Sequence, residues 1–309
     1  MISISELTKS FGRITALDGM SLEVHQGAVY GLIGPNGAGK TTVMSILATL
    51  QLPDGGRATI NGQDVTRNTE EVRSLVGYMP DFFGVYDGLK VYEYLDFFAS
   101  AYCLPDRGRD RLIGGLLELV NLGDKEDFYV DLLSRGMKQR LALARCLVHD
   151  PAVLILDEPA SGLDPRARAE MKEIVRQLGR MGKTVLISSH ILPELGEICD
   201  QVAIMENGRV VVSGPVEEVT AAGGGSRVIV VEVAGGAGDL ALMLEGRPHT
   251  GLVEAAERQV KFFFRGSRED QGALLKEIID GGHSVIQYHE VRRNLEEAFM
   301  AVTGEVNGK

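Results

Sequence analysis

A glycine-rich segment near the start of the chain carries the residue types of a phosphate-binding loop. It runs Gly34-Pro35-Asn36-Gly37-Ala38-Gly39-Lys40-Thr41-Thr42 and fits the pattern G-x-x-x-x-G-K-[ST]. Glycine permits backbone turns that other residues avoid, so successive N–H groups can point into one concavity that holds an anion. In such a loop the Lys40 ammonium reaches the β- and γ-phosphates of a nucleotide, and the Thr41 hydroxyl binds Mg²⁺. An ordinary glycine-rich turn is the alternative, since 38 of the 309 residues are glycine.

Two acidic residues follow an apolar run, Val153 to Leu156. Asp157 ends the run, where a carboxylate can hold the Mg²⁺ shell beside a phosphate loop. Glu158 points elsewhere and is the natural base to orient and deprotonate an attacking water. Taken alone, Asp-Glu-Pro is better explained as a polar strand end before a turn. Its position downstream of a phosphate-binding loop favours the metal and base roles.

Three further side chains have candidate roles because they occur together with these motifs. His190 follows the β-rich run Thr184 to Ser189, so it would enter the same crevice and bond the γ-phosphate or hold Glu158 and the water. Phe11 could stack on an adenine base, although an ordinary core phenylalanine fits the pattern equally well. Ser134 precedes an apolar helix pattern, which makes the segment from Leu133 to Met137 a second anion-binding helix start.

The elements that must position these residues follow from periodicity. Val29 to Ile33 predicts a buried strand before the loop, and Val43, Ile46, Leu47 and Leu50 predict a helix after it. Strands and turns are expected over residues 1 to about 65, with a hairpin at Asn61-Gly62. Between about 87 and 150 the pattern is helical, with Tyr94, Phe97, Phe98 and Tyr102 on one face as core. From Val153 to Met205 strands and helices alternate, which predicts a parallel sheet, followed by a hairpin at Asn207-Gly208.

The C-terminal third predicts a separate small module. Residues 221–226, Ala-Ala-Gly-Gly-Gly-Ser, are expected to form a flexible linker after a first domain of residues 1–220. Beyond it, residues 227–309 predict four strands and three helices, the last helix at 294–302, and hence a small α+β module. A packing or dimer-contact role is favoured for this module over ligand sensing.

Composition excludes several classes of function. The net charge of −11, from 43 acidic and 32 basic residues, argues against binding nucleic acid by neutralising its phosphates. Three scattered cysteines do not make a disulfide framework or a metal cluster. No run approaches the roughly 18 apolar residues that span a bilayer, so a membrane role requires a partner.

Taken together, these motifs resemble the nucleotide-binding subunit of an ABC transporter. The resemblance covers about residues 2 to 218 and rests on the phosphate loop, Leu133–Met137, Leu154–Pro159, the segment Ser161 to Pro165 and His190, in the family's order. It implies a P-loop α/β fold with an antiparallel β subdomain and a helical subdomain, and ATP and Mg²⁺ as ligands. It also implies that Phe11 stacks on adenine and that Asp164 lies in the segment joining two ATP sites.

The resemblance further implies a head-to-tail dimer of two such subunits. Ser134 and Gly136 would then meet the γ-phosphate of ATP held by the other copy, and hydrolysis would release the pair. Three positions depart from the family pattern: Arg135 replaces a common Gly, Met137 a common Gln, and Asp81 the Gln that usually ends its segment. We expect Asp81 to bind Mg²⁺ directly or through water, although it adds negative charge to a crowded site.

The form Ser-Arg-Gly-Met-Lys-Gln-Arg and the C-terminal module are similar to ATPases of ABC-2 type exporters, which work on a separate membrane permease. The chain is thus expected to be cytoplasmic and peripheral on the membrane through that permease. Phe82, Phe83, Val85 and Tyr86 could receive a permease helix or pack under the helical region. The alternatives in function are a soluble ABC ATPase acting on DNA or ribosomes, and a nucleotide-gated interaction module with little turnover.

Overall fold

The strands of the structure form three sheets. The computed structural model describes residues 1–82, 84, 88–189, 191–222, 227–291 and 295, and the chain divides into two compact units, 1–216 and 217–309. The strands of the first unit are β1 (Ile2–Phe11), β2 (Ile14–Val24), β3 (Val29–Ile33), β4 (Gly55–Ile60), β5 (Gln63–Asp64), β6 (Val76–Met79), β7 (Val153–Leu156), β8 (Thr184–Ser189), β9 (Gln201–Glu206) and β10 (Arg209–Pro215). Its helices are α1 (Lys40–Leu47), α2 (Thr69–Leu75), α3 (Val91–Ala101), α4 (Arg109–Leu119), α5 (Arg135–Leu147), α6 (Pro165–Arg180) and α7 (Leu192–Ile198).

An antiparallel sheet and a mainly parallel sheet share one hydrophobic core. The antiparallel sheet has the order β2-β1-β4-β5, and the second sheet has the order β10-β9-β3-β8-β7-β6. Strands β3, β6, β7, β8 and β9 run parallel, while β10 closes one edge antiparallel to β9. Apolar residues of α1, among them Val43 and Leu47, pack with residues of both sheets. Because parallel strands end at the same edge, the loops after β3, β6, β7 and β8 lie together.

The two hairpin predictions are confirmed. β4 and β5 pair through Ile60 and Gln63 around Asn61-Gly62, and β9 and β10 pair through Glu206 and Arg209 around Asn207-Gly208. In both turns the Asn and the Gly have positive φ, as a type I′ turn requires.

The helical region between β6 and β7 consists of α3, α4 and α5, with short 3₁₀ turns at Gly123–Lys125 and Val130–Leu132. The expectation that Tyr94, Phe97, Phe98 and Tyr102 are all core was wrong. Tyr94 is buried, but Phe97 and Tyr102 are exposed because the buried stripe of α3 is formed by Val91, Tyr94, Leu95 and Ala99. The prediction that Leu50 belongs to α1 was also wrong. This helix ends at Leu47, Thr49 takes a left-handed conformation, and Leu50 is exposed.

The second unit has a hydrophobic core of its own. Its elements are β11 (Arg227–Val233), α9 (Gly238–Leu244), β12 (Thr250–Ala256), β13 (Gln259–Phe264), α10 (Arg268–Asp280) and β14 (Val285–Val291), and α8 (Val216–Ala222) begins one residue before the unit does. The strands form an antiparallel sheet in the order β12-β13-β11-β14, against which Leu240 and Ile278 pack. Since α8 includes residues 221 and 222, these are helical and not part of a flexible linker. Residues 223–226 and the helix predicted at 294–302, apart from Leu295, lie outside the described residues.

No helix among the described residues is long and apolar enough to cross a membrane.

Candidate active site

The glycine-rich loop of residues 34–42, called the phosphate-type loop below, follows the central strand of the parallel sheet. β3 lies between β8 and β9, and the loop leads from it into α1, with its tip at Pro35, Asn36 and Gly37 exposed. Gly39 caps the helix with a φ of 102°, a left-handed conformation that favours glycine. The N–H groups of the first turn of α1 have no acceptor within the helix, so they face outward at its positive end.

Two glycines of the loop also have no room for a side chain. A Cβ at Gly39 would lie 2.5 Å from the carbonyl oxygen of Ala16, and one at Gly34 would lie 2.5 Å from that of Met205. The loop is therefore held tightly against the β2 and β9 strands. This contact fixes the concavity that its amide groups line.

Lys40 is buried beneath the loop. Its Nζ donates to the carbonyl oxygens of Gly34 at 2.7 Å and Pro35 at 3.2 Å. Burial lowers the pKa of Lys40, and the negative charges of Glu158 and then Asp157 oppose that shift. The ammonium thus lies close to both acidic residues. A polyphosphate can replace the loop carbonyls as the partner of the Lys40 ammonium. The ammonium then pairs with a fully charged oxygen in place of a neutral one.

Asp157 is positioned by strands on both sides of it. Its backbone N–H donates to the Met79 carbonyl at 2.8 Å, and its Oδ1 accepts from the Ser188 hydroxyl at 2.6 Å. The residue is only 1% exposed, and its Oδ2 has no hydrogen-bond partner among the described residues. A buried carboxylate oxygen without a donor is costly unless a cation or a bound water completes it. The site therefore fits a divalent cation.

Glu158 adopts a left-handed backbone conformation with a φ of 50°, which is uncommon for a residue other than glycine. Its N–H donates to the Ser188 hydroxyl oxygen at 2.9 Å, so one serine holds both acidic residues. The unusual conformation turns the backbone at Glu158 away from the course of β7. Such strain is typical of functional positions, where surrounding contacts maintain it.

The other two residues predicted to bind metal are exposed. Thr41 lies in the first turn of α1, and Asp81 lies two residues beyond β6, the neighbour of β7. Burial is the main cause of a raised pKa at Tyr78, and the charges of Asp157 and then Asp81 add to it, so both carboxylates lie near this ring. Within the described residues no three acidic, His or Cys side chains form a metal-binding group by themselves. Mg²⁺ characteristically uses one or two carboxylates together with substrate phosphates, which suits this arrangement.

Phe11 lies at the end of β1 and is 46% exposed. It pairs with Ile14 across the β1–β2 hairpin, and the Lys9 ammonium lies 5.6 Å from its ring centroid. The core alternative for Phe11 is therefore wrong. Its ring is accessible to a planar ligand.

Ser134 and Gly136 begin α5 in the helical region. The Ser134 hydroxyl oxygen caps the helix by accepting from the Met137 N–H at 3.3 Å. Gly136 is buried, and a Cβ there would lie 2.8 Å from the Cβ of Ala167 on α6. No hydrogen bond among the described residues joins Ser134 or Gly136 to the phosphate-type loop of residues 34–42. Each of the two helix starts, that of α1 and that of α5, therefore has backbone N–H groups of its own to offer to an anion.

The segment before α6 is held by Asp164 and by two residues that the sequence did not single out, Gln139 and Arg168. Asp164 caps α6 by accepting from the Arg166 and Ala167 N–H groups at 3.0 Å, and the Ala167 bond is the largest cause of the lowered pKa of Asp164. Gln139 Nε2 donates to the Ser161 carbonyl at 3.3 Å, and Arg168 donates to the Leu163 carbonyl at 3.1 Å. These contacts fix the course of the exposed segment that Asp164 ends.

Ser188 is the main functional residue that the sequence interpretation missed. The signal was present, since Ser188 is the first polar residue after the apolar run Val185 to Ile187 in β8. His190, Phe83, Val85 and Tyr86 lie outside the described residues, so their predicted roles stay predictions.

Comparisons with known proteins point to one family. The family model described as ABC transporter matches residues 17–161. The chain is 35% identical over 98% of its length to the Nod factor export ATP-binding protein I of Ralstonia nicotianae, of which it covers 94%. It is also 35% identical over 98% of its length to the daunorubicin resistance ATP-binding protein DrrA3 of Streptomyces coeruleorubidus, of which it covers 96%. A solved ATP-binding subunit of an ABC transporter matches 72% of the chain and 92% of its own length, with a TM-score of 0.65 and 29% identity.

Proposed function

This chain belongs to the exporter-type ATP-binding proteins of ABC transporters, and we propose that two copies of it bind Mg²⁺-ATP between them. The two copies then hydrolyse the ATP to drive a separate transmembrane permease. The observation that carries the proposal is the arrangement at one edge of the parallel sheet. There a buried ammonium, a buried carboxylate oxygen with no donor among the described residues and a strained glutamate lie around one glycine-rich loop.

The loop and Lys40 would bind the β- and γ-phosphates. Its outward N–H groups supply several donors, and the ammonium exchanges two neutral carbonyl oxygens for charged phosphate oxygens. Thr41 Oγ1 and Asp157 Oδ2 would hold Mg²⁺, with Asp81 contributing from the neighbouring loop. Bound there, Mg²⁺ neutralises charge on the phosphate oxygens. Ser188 fixes the Asp157 carboxylate so that only one oxygen faces the ligand.

Glu158 would orient the attacking water and accept its proton. The proximity of Glu158 to Lys40 supports a position for its carboxylate at the phosphate end of the site. In this position the carboxylate is a general base for the water. We assign His190, directly after β8, to holding Glu158 and the γ-phosphate in register.

The second copy would complete each site with Ser134 and Gly136. The Ser134 hydroxyl and the first amides of α5 form an anion-facing helix start that, within the described residues, makes no hydrogen bond to its own chain's phosphate-type loop. Phosphate oxygens from the other copy's nucleotide suit it, and Asp164 then lies in the segment between the two sites. Phe11, with its accessible ring, would stack on the adenine. ATP thereby joins the two copies, and its hydrolysis separates them.

The permease would bind beside Asp81. Phe82 is 89% exposed, which is unusual for so large an apolar side chain unless it meets a partner. The relatives are named for Nod factor export and daunorubicin resistance, which supports a permease of the export type and a peripheral location on the cytoplasmic membrane face. Substituting Phe82 by Ser should abolish stimulation of ATPase activity by the co-expressed permease and leave basal activity unchanged.

Phosphate release by the purified chain tests the proposal directly. The wild-type protein should hydrolyse Mg²⁺-ATP, and Lys40→Ala and Glu158→Gln should each reduce the rate about 100-fold or more. Lys276→Ala, an exposed lysine on α10, is the matched control and should keep the wild-type rate. A wild-type protein that binds ATP without turnover would contradict hydrolysis. An Asp81→Asn variant with unchanged Mg²⁺ dependence would contradict only the metal role of Asp81.

A further inference from the structure

Arg135 is an exposed arginine whose guanidinium lies against the backbone of Gly162. A Cβ at Gly162 would meet the guanidinium carbon and both terminal nitrogens, so the planar group rests on the bare Cα. Gly162 has a φ of 66°, and it belongs to the segment that Gln139 and Arg168 hold through its Ser161 and Leu163 carbonyls. The guanidinium therefore has a supported position, which reduces the entropy lost when it binds a partner.

The Arg135 guanidinium differs from nearby arginines of α5 and α6 in its partners. Arg140 pairs with Glu170 at 3.4 Å and Arg168 with Glu194 at 3.1 Å. Within the part of the chain that the structure describes, the Arg135 side chain makes neither an ion pair nor a hydrogen bond. An arginine held in place without an anion is ready to bind one from another molecule.

Asp81 has the complementary property. It is exposed, and its carboxylate makes no ion pair with the described residues. It lies near Tyr78 together with Asp157, at the edge of the sheet where the nucleotide would bind. One copy thus brings the carboxylates of Asp81, Asp157 and Glu158 to the site, together with the Lys40 ammonium. A triphosphate adds more negative charge, so a guanidinium beside Asp81 would be favoured there in addition to Mg²⁺.

We propose that Arg135 of one copy pairs with Asp81 of the other across the shared ATP site. The inference rests on the proposed two-copy arrangement, in which Arg135 lies between the two residues, Ser134 and Gly136, that face the other copy's γ-phosphate. A guanidinium and a carboxylate can form two parallel hydrogen bonds, and one Asp81 oxygen can face the metal while the other accepts from Arg135. Two of the three departures from the family pattern, Arg135 and Asp81, have opposite charges and would then compensate each other between the two copies.

A double-mutant cycle in the full-length Glu158→Gln protein tests the pair. Dimer dissociation is measured by analytical ultracentrifugation in saturating Mg²⁺-ATP. Arg135→Ala should raise the dissociation constant at least about tenfold, whereas the same change in a protein that also carries Asp81→Asn should raise it less than about threefold. Arg135→Lys keeps the charge but lacks the planar guanidinium, so it should recover only part of the affinity. Arg67→Ala, at an exposed arginine near β5, should have no effect.

Substitution of Gly162 tests the pair in a second, independent way. Gly162→Ala should displace the guanidinium and weaken the dimer about as much as Arg135→Ala does. Gly182→Ala, at a φ of 83° with no described atom within 4 Å of the added Cβ, carries the backbone strain alone and should leave the dimer intact. If Arg135→Ala has the same effect with and without the Asp81→Asn substitution, the pair is overturned while the two-copy site stands. If the Glu158→Gln protein forms no dimer with ATP, both proposals fail.

Discussion

The Ser188 hydroxyl donates to Asp157 Oδ1 at 2.6 Å and accepts from the N–H of the next residue, Glu158, at 2.9 Å. A single side chain from β8 thus orients the two acidic residues that follow β7. One of them, Asp157, is the proposed metal ligand, and the other, Glu158, is the proposed base. Their separate roles depend on this serine.

Replacing Ser188 by Ala should therefore weaken metal binding. Without the hydroxyl, Asp157 can rotate, and the Glu158 N–H loses its acceptor. Loss of such a supporting hydrogen bond typically costs about 10- to 100-fold in metal affinity, so half-maximal ATPase activity should need about tenfold more Mg²⁺. Thr184→Val is the matched control, because Thr184 lies at the other end of β8 and its Oγ1 accepts from the Gly27 N–H. That variant should lose stability and keep the Mg²⁺ dependence; an unchanged dependence in Ser188→Ala would contradict the role of Ser188.

Gly39→Ala should abolish ATP binding. The substitution imposes a left-handed conformation on alanine, at a cost of about 1–2 kcal/mol, and also brings the Cβ to within 2.5 Å of the Ala16 carbonyl oxygen. Gly62→Ala separates the two effects, since Gly62 has a φ of 79° and no described atom within 4 Å of an added Cβ. Calorimetric titration with ATP should detect no binding to Gly39→Ala and normal binding to Gly62→Ala. Equal affinity of the two variants would show that the contact with Ala16 is unimportant.

The affinity for ATP should fall as the pH rises toward the ordinary pKa of lysine. Burial lowers the pKa of Lys40 below 10.5, and the ammonium is the form that binds phosphate. Affinity is therefore full below the lowered pKa and is lost above it. Binding measured from about pH 7.5 to about pH 10 should weaken progressively in the wild-type protein, because the ammonium loses its proton in this direction. In Lys40→Arg, which stays charged, binding should be weaker throughout and nearly constant; a parallel fall in that variant would assign the titration to another group.

Phe11→Ala should weaken ATP binding about tenfold, because stacking a base on an aromatic ring contributes about 1–3 kcal/mol. Phe11→Tyr preserves the ring and should bind normally. Phe128, another half-exposed phenylalanine, lies in the helical region, so Phe128→Ala should have no effect on affinity. If ATP binds Phe11→Ala and wild-type protein equally, adenine does not stack on this ring.

The features that could be predicted from the sequence are local ones. The phosphate-type loop, the strand before it and the apolar run leading to Asp157 each depend on neighbouring residues, and the strands and the helix start were predicted correctly. The role of Ser188 depends instead on β8 lying beside β7 in the sheet, a relation between residues 31 positions apart. Contacts of this kind need the strand order, which periodicity alone does not give.

The same reasoning explains the errors in α3. Helical spacing placed Tyr94, Phe97, Phe98 and Tyr102 on one broad face, but the side of a helix that becomes buried is decided by its neighbours. Packing against α4 and α5 buries Val91, Leu95 and Ala99 with Tyr94, and this leaves Phe97 exposed. Likewise, the contact between Arg135 and Gly162 joins two segments and has no signature in either one alone.

The central claim, that ATP is held between two copies and hydrolysed with the help of Glu158, is tested most directly by the oligomeric state of Glu158→Gln. Light scattering on the purified protein should give a dimer with Mg²⁺-ATP and a monomer with Mg²⁺-ADP or no nucleotide, while the wild-type protein should return to a monomer as ATP is consumed. A Glu158→Gln protein that binds ATP and remains a monomer would contradict the account.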